Sequence, residues 1–265
     1  MVAGYTCPMI RSALDLRRGR VRCAGLLAVM LAGCSAPDWR NASQVPVGLA
    51  PDPARTPEAV VQVYGARTVG WKGAFGVHTW IAVKPAGAPV YTVHEVMGWR
   101  LRWAESVVVR RVRDPDARWF GAEPELYAEK RGPAAEALIP RIEQAVASYP
   151  YPGEYTVWPG PNSNTFIAWV LRQVPELEAH LPATAIGKDY LGAQVLSTAP
   201  SGSGVQLSIG GLLGFTASRV EGLELNLLGL SFGIDPFRPA LKLPLVGRLG
   251  MGPMPAGSAT TAPGL

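Results

Sequence analysis

Three histidines and one well-placed serine are the residues whose chemistry the chain can use. His78 and His94 lie in two β-rich runs, 75–84 and 90–96, joined by the turn-like Pro85-Ala86-Gly87-Ala88-Pro89. A hairpin centred near residue 86 places each histidine eight positions from the turn, so the two face each other across the ladder. Ser163 stands between Asn162 and Asn164, after Trp158-Pro159-Gly160-Pro161. Beyond it, Phe166, Ile167, Trp169, Val170 and Val174 share one helical face, and Pro175 closes the run. Asn162, Ser163 and Asn164 are three N-cap residues in a row, which puts Ser163 at or just before the first turn. A helix start has free N–H groups and the positive end of the dipole, a setting for a nucleophile or an anion. The corresponding chemistry is acyl transfer. Ser163 attacks a carbonyl, His78 takes the proton, His94 or Glu95 orients His78, and helix-start N–H groups hold the oxyanion. Asn162, Asn164, Trp80 and Trp158 are the binding candidates. Plain helix capping accounts for the same polar triplet without any chemistry.

The elements that would position these residues give an α+β reading. Residues 59–64 begin a folded part, 107–112 add a third strand, and Trp99, Leu101 and Trp103 extend the strand before it. Arg110, Arg111 and Arg113 mark its wet face or meet an anionic surface. Ala134, Leu138, Ile142 and Val146 predict a helix over 133–148, kinked at Pro140. Further on, 204–210 and 223–227 alternate at period two, predicting a small glycine-rich antiparallel sheet. Such a sheet is either a β subdomain packed on the core or an apolar surface near a bilayer; its Gln, Ser, Glu and Asn positions, expected to be a wet face, favour packing of the apolar positions on the core. The expected division is 1–33 targeting segment, 34–58 flexible tether, 59–200 α+β core, 201–248 glycine-rich β subdomain and 249–265 disordered tail.

The first segment carries Arg11, Arg17, Arg18, Arg20 and Arg22, then a short apolar run to Ala32 and the box Leu31-Ala32-Gly33-Cys34. This resembles a bacterial lipoprotein signal. The resemblance implies an acylated Cys34, an anchor in the cell envelope, and, with Ser35 next, outer-membrane sorting facing the periplasm. An uncleaved signal anchor is the other reading. The chain has 25 basic and 20 acidic residues; without 1–33 the balance is 20 against 19. The basic excess therefore belongs to the targeting segment, and no nucleic-acid partner is implied. Cys7 and Cys23 leave with that segment, which excludes disulfides and a cysteine nucleophile. No cofactor is implied. Two histidines with Glu95 beside His94 lack a third ligand at a telling spacing, so no metal site is expected.

The order His78, His94, then a nucleophile-type residue at a helix start resembles the circularly permuted papain-like hydrolases. These are the permuted branch of the NlpC/P60 superfamily that includes the lecithin:retinol acyltransferase-like enzymes. The resemblance spans about residues 60–180. It implies that His78 is the base, His94 the polar orienter and Ser163 the nucleophile position, with Ser where the family has Cys. An antiparallel sheet packed on the Ser163 helix is the fold it implies. A second resemblance runs over Trp158 to Phe166, Glu176-Leu177, Ile186-Gly187-Lys188-Asp189, Glu221-Gly222-Leu223-Glu224 and Leu241-Lys242-Leu243-Pro244. These runs are similar to a bacterial family known as a domain of unknown function, DUF3750, which implies no biochemistry.

Three functions fit these residues. One is a serine-type amidase, esterase or acyltransferase acting on peptidoglycan-derived or lipid acyl bonds. The second is a non-catalytic envelope protein that binds a cell-wall or lipid ligand in the same cleft. The third is a structural lipoprotein in which the histidines are satisfied sheet residues. Trp99, Trp103, Trp119, Trp158 and Trp169 serve either as a sugar-binding groove or as core.

Overall fold

The computed structural model describes residues 39–252, so the targeting segment, Cys34 and the tail beyond residue 252 lie outside the described residues. Trp39–Asn41 form one 3-10 turn, and the chain from Ala42 onward is one compact unit. Its class is α+β: two helices and two antiparallel sheets.

The first sheet contains β1 (Val60–Arg67), β2 (Val77–Lys84), β3 (Thr92–Val96), β4 (Val108–Val112) and β5 (Glu125–Arg131). Their order is β4-β3-β2-β1-β5. Helices α1 (Gly132–Ala147) and α2 (Ser163–Gln173) supply the core on one face. Val61, Val63, Ile81 and Val83 meet Ile142, Phe166 and Leu171 there. In α1 the buried positions are Ala135, Leu138, Ile139, Ile142 and Ala145, a helical stripe, and the helix runs on through Pro140, which faces solvent. The other face of the sheet holds Tyr64, Trp80, Val93 and Trp119. It is covered by irregular chain at 45–51 and 114–122. Pro46 bridges Ala117, and Asp116 Oδ2 accepts from Leu49 N at 2.7 Å and Ala50 N at 3.2 Å. From residue 43 the segment expected as a tether is thus hydrogen-bonded to the fold. With both faces covered, β2 is buried at every position.

Register corrects the expected hairpin. Ile81, not His78, is paired with His94, and Val83 with Thr92. The ladder is offset by three residues from the expected one. An odd offset moves a side chain to the other face of the sheet. His78 and His94 therefore do not face each other. Trp99 and Leu101, expected to extend the strand that precedes them, instead lie in a 3-10 turn, Gly98–Arg102.

The second sheet is a seven-stranded meander in chain order: β6 (Leu196–Thr198), β7 (Gly204–Ile209), β8 (Leu213–Ser218), β9 (Gly222–Leu227), β10 (Leu230–Asp235), β11 (Ala240–Leu243) and β12 (Gly247–Gly250). Its period-two alternation is as expected, but its faces are reversed. Gln206, Ser208, Thr216, Glu224, Asn226, Ser231 and Lys242 point inward and are buried. Leu207, Phe215, Leu225 and Phe232, paired across four strands, point outward. The inward face is held by polar partners on the chain after α2. Ser231 Oγ donates to Asp189 Oδ2 at 3.1 Å, Gln206 donates to Asp189 Oδ1, and Glu224 lies between Lys188 and Lys242. Burying Gln206, Ser231, Glu224 and Lys242 is tolerated because each finds a polar or oppositely charged partner, whereas Asn226 Oδ1 is left without one among the described residues.

Candidate active site

Helix α2 is fixed at its start by a complete capping box. Asn162 Oδ1 accepts from the N–H groups of Asn164 at 2.9 Å and Thr165 at 3.3 Å, and Thr165 Oγ1 accepts from Asn162 N at 3.1 Å. Asn162 Nδ2 donates to Val157 O and Ile186 O, each at 3.1 Å. This approach needs Gly187, whose φ is +98° and where a Cβ would lie 2.4 Å from the Asn162 amide. Asn164 ties the helix to β2: its Nδ2 donates to Val77 O at 3.0 Å, and its Oδ1 accepts from Thr79 Oγ1 at 3.0 Å. Thr79 Oγ1 also lies 3.1 Å from Ser163 O. The strand residues on both sides of His78 are therefore bound to the first turn of α2.

His78 is 4% exposed and sits on the face opposite the helices. Its Nε2 is 3.0 Å from Glu95 Oε2. Glu95 Oε1 accepts from Arg111 Nε at 2.9 Å and Nη2 at 2.8 Å, and Arg113 Nε lies 3.7 Å away. Trp119 stacks on the imidazole with ring centroids 3.8 Å apart and an interplanar angle of 13°. Burial holds the His78 pKa below the ordinary imidazole value, against the pull of Glu95, so the ring is neutral at pH 7. Burial works against the Glu95 carboxylate, but its His78 hydrogen bond and the Arg113 and Arg111 guanidinium groups hold its pKa below the usual range. With Nε2 committed to Glu95, Nδ1 is the imidazole nitrogen left for a substrate or nucleophile.

Both His78 and Ser163 line a cleft of about 760 Å³. Aromatic and apolar groups form its walls, among them Trp71, Phe75, Trp99, Trp119, Tyr155 and Trp158. The chain leading to Ser163 passes through two cis prolyl bonds, Trp158-Pro159 and Gly160-Pro161. Trp158 Nε1 then donates to Leu228 O at 2.8 Å, which joins the cleft to the second sheet. Ser163 is 3% exposed, and among the described residues its hydroxyl makes no hydrogen bond, to His78 or to any other group. The cap consumes the amides of Asn164 and Thr165, so Ser163's own N–H is the helix-start donor that remains.

Of the residues singled out from sequence, Ser163, His78, Asn162, Asn164 and Trp158 all border this cleft. His94 does not. It lies on the helix-side face, with Nε2 3.1 Å from Glu143 Oε1 of α1, and Glu95 takes the orienting position beside His78. Trp80 is also withdrawn from a binding role: it is fully buried, 5.8 Å by centroid from His78, and its indole donates to Pro115 O at 2.7 Å. Arg111 and Arg113, expected on a wet face or an anionic surface, and Trp119, expected in a sugar groove or the core, were not assigned to the surroundings of His78 and Glu95, where they lie. Alternation along β4 separates Arg110, opposite His94, from Arg111, opposite Val93, and only the register reveals which arginine reaches Glu95. Trp119 comes from an irregular segment with no periodic signal. His180 lies apart, its Nε2 2.6 Å from Lys242 Nζ. Among the described residues no group of three His, Cys, Asp or Glu is arranged to hold a metal ion, and no helix is long and apolar enough to cross a membrane.

The fold and site define an α+β protein in which a strand histidine and a helix-start serine border one aromatic cleft. The chain belongs to the family described as protein of unknown function (DUF3750), whose model matches residues 58–190. That span covers the cleft's His78, Trp119 and Ser163 together with Glu95 behind His78, and it ends before the second sheet. No curated protein and no solved structure matches the chain.

Proposed function

We propose that the protein is an envelope-anchored serine hydrolase or acyltransferase of the permuted papain-like kind, with Ser163, His78 and Glu95 as its catalytic set. The observation that carries this reading is the His78–Glu95 pair at 3.0 Å, with the second imidazole nitrogen free beside the cleft that Ser163 borders. A neutral imidazole oriented by a carboxylate is the base a serine needs, because serine is a poor nucleophile unaided. His78 takes the Ser163 proton as Oγ bonds to the carbonyl carbon. The Ser163 N–H supports the oxyanion, and His78 returns the proton to the leaving group. The apolar, aromatic walls favour an ester or amide with a lipid acyl chain over a bare cell-wall peptide. Cys34 carries the acyl anchor and holds the protein at the outer membrane, facing the periplasm.

A second reading is a binding cleft without chemistry. It is favoured by the cap that occupies the Asn164 and Thr165 amides and by the absence of a hydrogen bond between Ser163 and His78. A fluorophosphonate probe separates the two. Under the catalytic reading it labels the full chain, Ser163→Ala abolishes labelling, and Glu95→Gln slows it about a hundredfold or more. Because His78 is held below the ordinary value of about 6.5, the labelling rate stays level down to that pH and falls only below it. Equal labelling of wild type and Ser163→Ala would leave the binding reading.

A further inference from the structure

The outward face of the second sheet needs a partner. Its rows run in register: Leu207, Phe215, Leu225 and Phe232 form one, and Ala217, Leu223, Ile234 and Leu241 the next. With strands about 4.8 Å apart and about 3.4 Å per residue, seven strands present roughly 600 Å² in projection. That is at the upper end of the largest apolar patch on a typical monomer. Two such faces meeting would bury roughly 1,200 Å² in all, the lower bound for a stable dimer, so area alone does not choose the partner.

The hairpin tips choose it. The β7–β8, β9–β10 and β11–β12 turns all lie at one end of the meander and carry exposed Leu212, Leu228, Leu245 and Val246. Leu228 has φ 53° and is 69% exposed, and Leu245 has φ 70° and is 47% exposed. A leucine in the left-handed region at a water-facing turn is disfavoured twice, since Asn, Asp and Gly are the usual residues there. A flat face-to-face dimer would leave these tips in water. The opposite end carries Arg219 and Arg238 and the Ser-rich turn 199–203. Trp158 borders the apolar end through its bond to Leu228 O, and Trp71, 76% exposed, lines the same cleft mouth. Indoles with one apolar and one polar side suit a membrane–water boundary.

We propose that this sheet docks into the surface of a phospholipid bilayer, with the Leu212, Leu228 and Leu245–Val246 tips leading and the cleft opening at the lipid boundary. The arginine-bearing end stays in water. Ser43 O accepts from Gly121 N at 2.9 Å, two residues from the cleft's Trp119, so the chain joins the fold beside the cleft. The docking requires neither the acyl anchor nor the Ser163 chemistry.

The test uses the full chain with Cys34→Ala, so that acylation plays no part, and vesicles of phosphatidylethanolamine and phosphatidylglycerol. The parent is compared by flotation with Leu228→Asp/Leu245→Asp and with Phe237→Asp at the opposite end. Both tip positions lie in the region where Asp is tolerated better than Leu, so the double variant should melt no lower than the parent. It is expected to partition at least tenfold less, and Phe237→Asp to match the parent. Equal flotation of the double variant and the parent overturns the proposal. A parent that does not float, and sediments as a dimer in vesicle-free buffer, assigns the face to a second copy and overturns it too.

Discussion

Strand β2 and strand β9 are each paired antiparallel on both sides, yet they sit in opposite kinds of sheet. In β2 all eight positions are buried, because helices cover one face and the 45–51 and 114–122 segments the other. In β9 burial alternates strictly: Gly222, Glu224 and Asn226 are buried while Leu223, Leu225 and Leu227 face out. The first sheet is held by the hydrophobic effect. The second is held by hydrogen bonds and ion pairs at its inner face, and its apolar side packs only along its own cross-strand rows. Alternation reports that a strand has two different faces. It does not report which face the rest of the chain takes.

Substitutions at equivalent depths should separate the two regimes. The largest loss is expected at the junction. Glu224→Ala leaves Lys188 and Lys242 buried without their shared carboxylate and should cost about 3–5 kcal/mol, read by denaturant unfolding. In the first sheet's core, Ile142→Ala removes fully buried apolar volume and should cost about 2–4 kcal/mol in the same assay. A Glu224→Ala cost under about 1 kcal/mol would mean that the junction is not what holds the second sheet.

Acid should find the junction next. Glu224 is held down to about 2 despite its burial, chiefly by Lys188 and Lys242. Between that value and the 4.5 of an ordinary Glu, the unfolded chain binds a proton that the folded chain does not. Its stabilisation is therefore complete above about pH 4.5 and is lost as pH falls toward 2, a change of roughly 3 kcal/mol. His180, held down to about 3 by burial and then by Lys242, also loses stability as pH falls, beginning below about 6.5. Melting curves across pH 7 to 2 should show the second sheet's signal lost first. The smallest effect is expected at Leu225→Ser on the outward face, within about 0.5 kcal/mol in vesicle-free buffer. A loss above about 2 kcal/mol there would mean that the face is already covered.

Much of this site was legible in the sequence. Asn162-Ser163-Asn164 before an apolar helical stripe located the start of α2, and β-rich runs located β2 and β3 with His78 and Glu95 on them. Pairing was not legible. A three-residue offset in the β2–β3 ladder replaced His94 by Glu95 at His78, and nothing local to residues 85–91 fixes that offset. Nor could the cover of the first sheet's second face be read, because 45–51 and 114–122 have no period and are set by partners such as Asp116. The reversed second sheet followed from the same limit. Gln206, Ser208, Glu224 and Asn226 read as a wet face until Lys188 and Asp189, distant in sequence, are seen to meet Gln206, Ser208 and Glu224.

The most direct test is a structure of the protein after reaction with a fluorophosphonate. Phosphorus is expected on Ser163 Oγ, with His78 Nδ1 within about 3.5 Å of that oxygen and Glu95 still on Nε2. An adduct on another residue, or a Ser163 adduct with the His78 ring more than about 8 Å away, would contradict the catalytic reading.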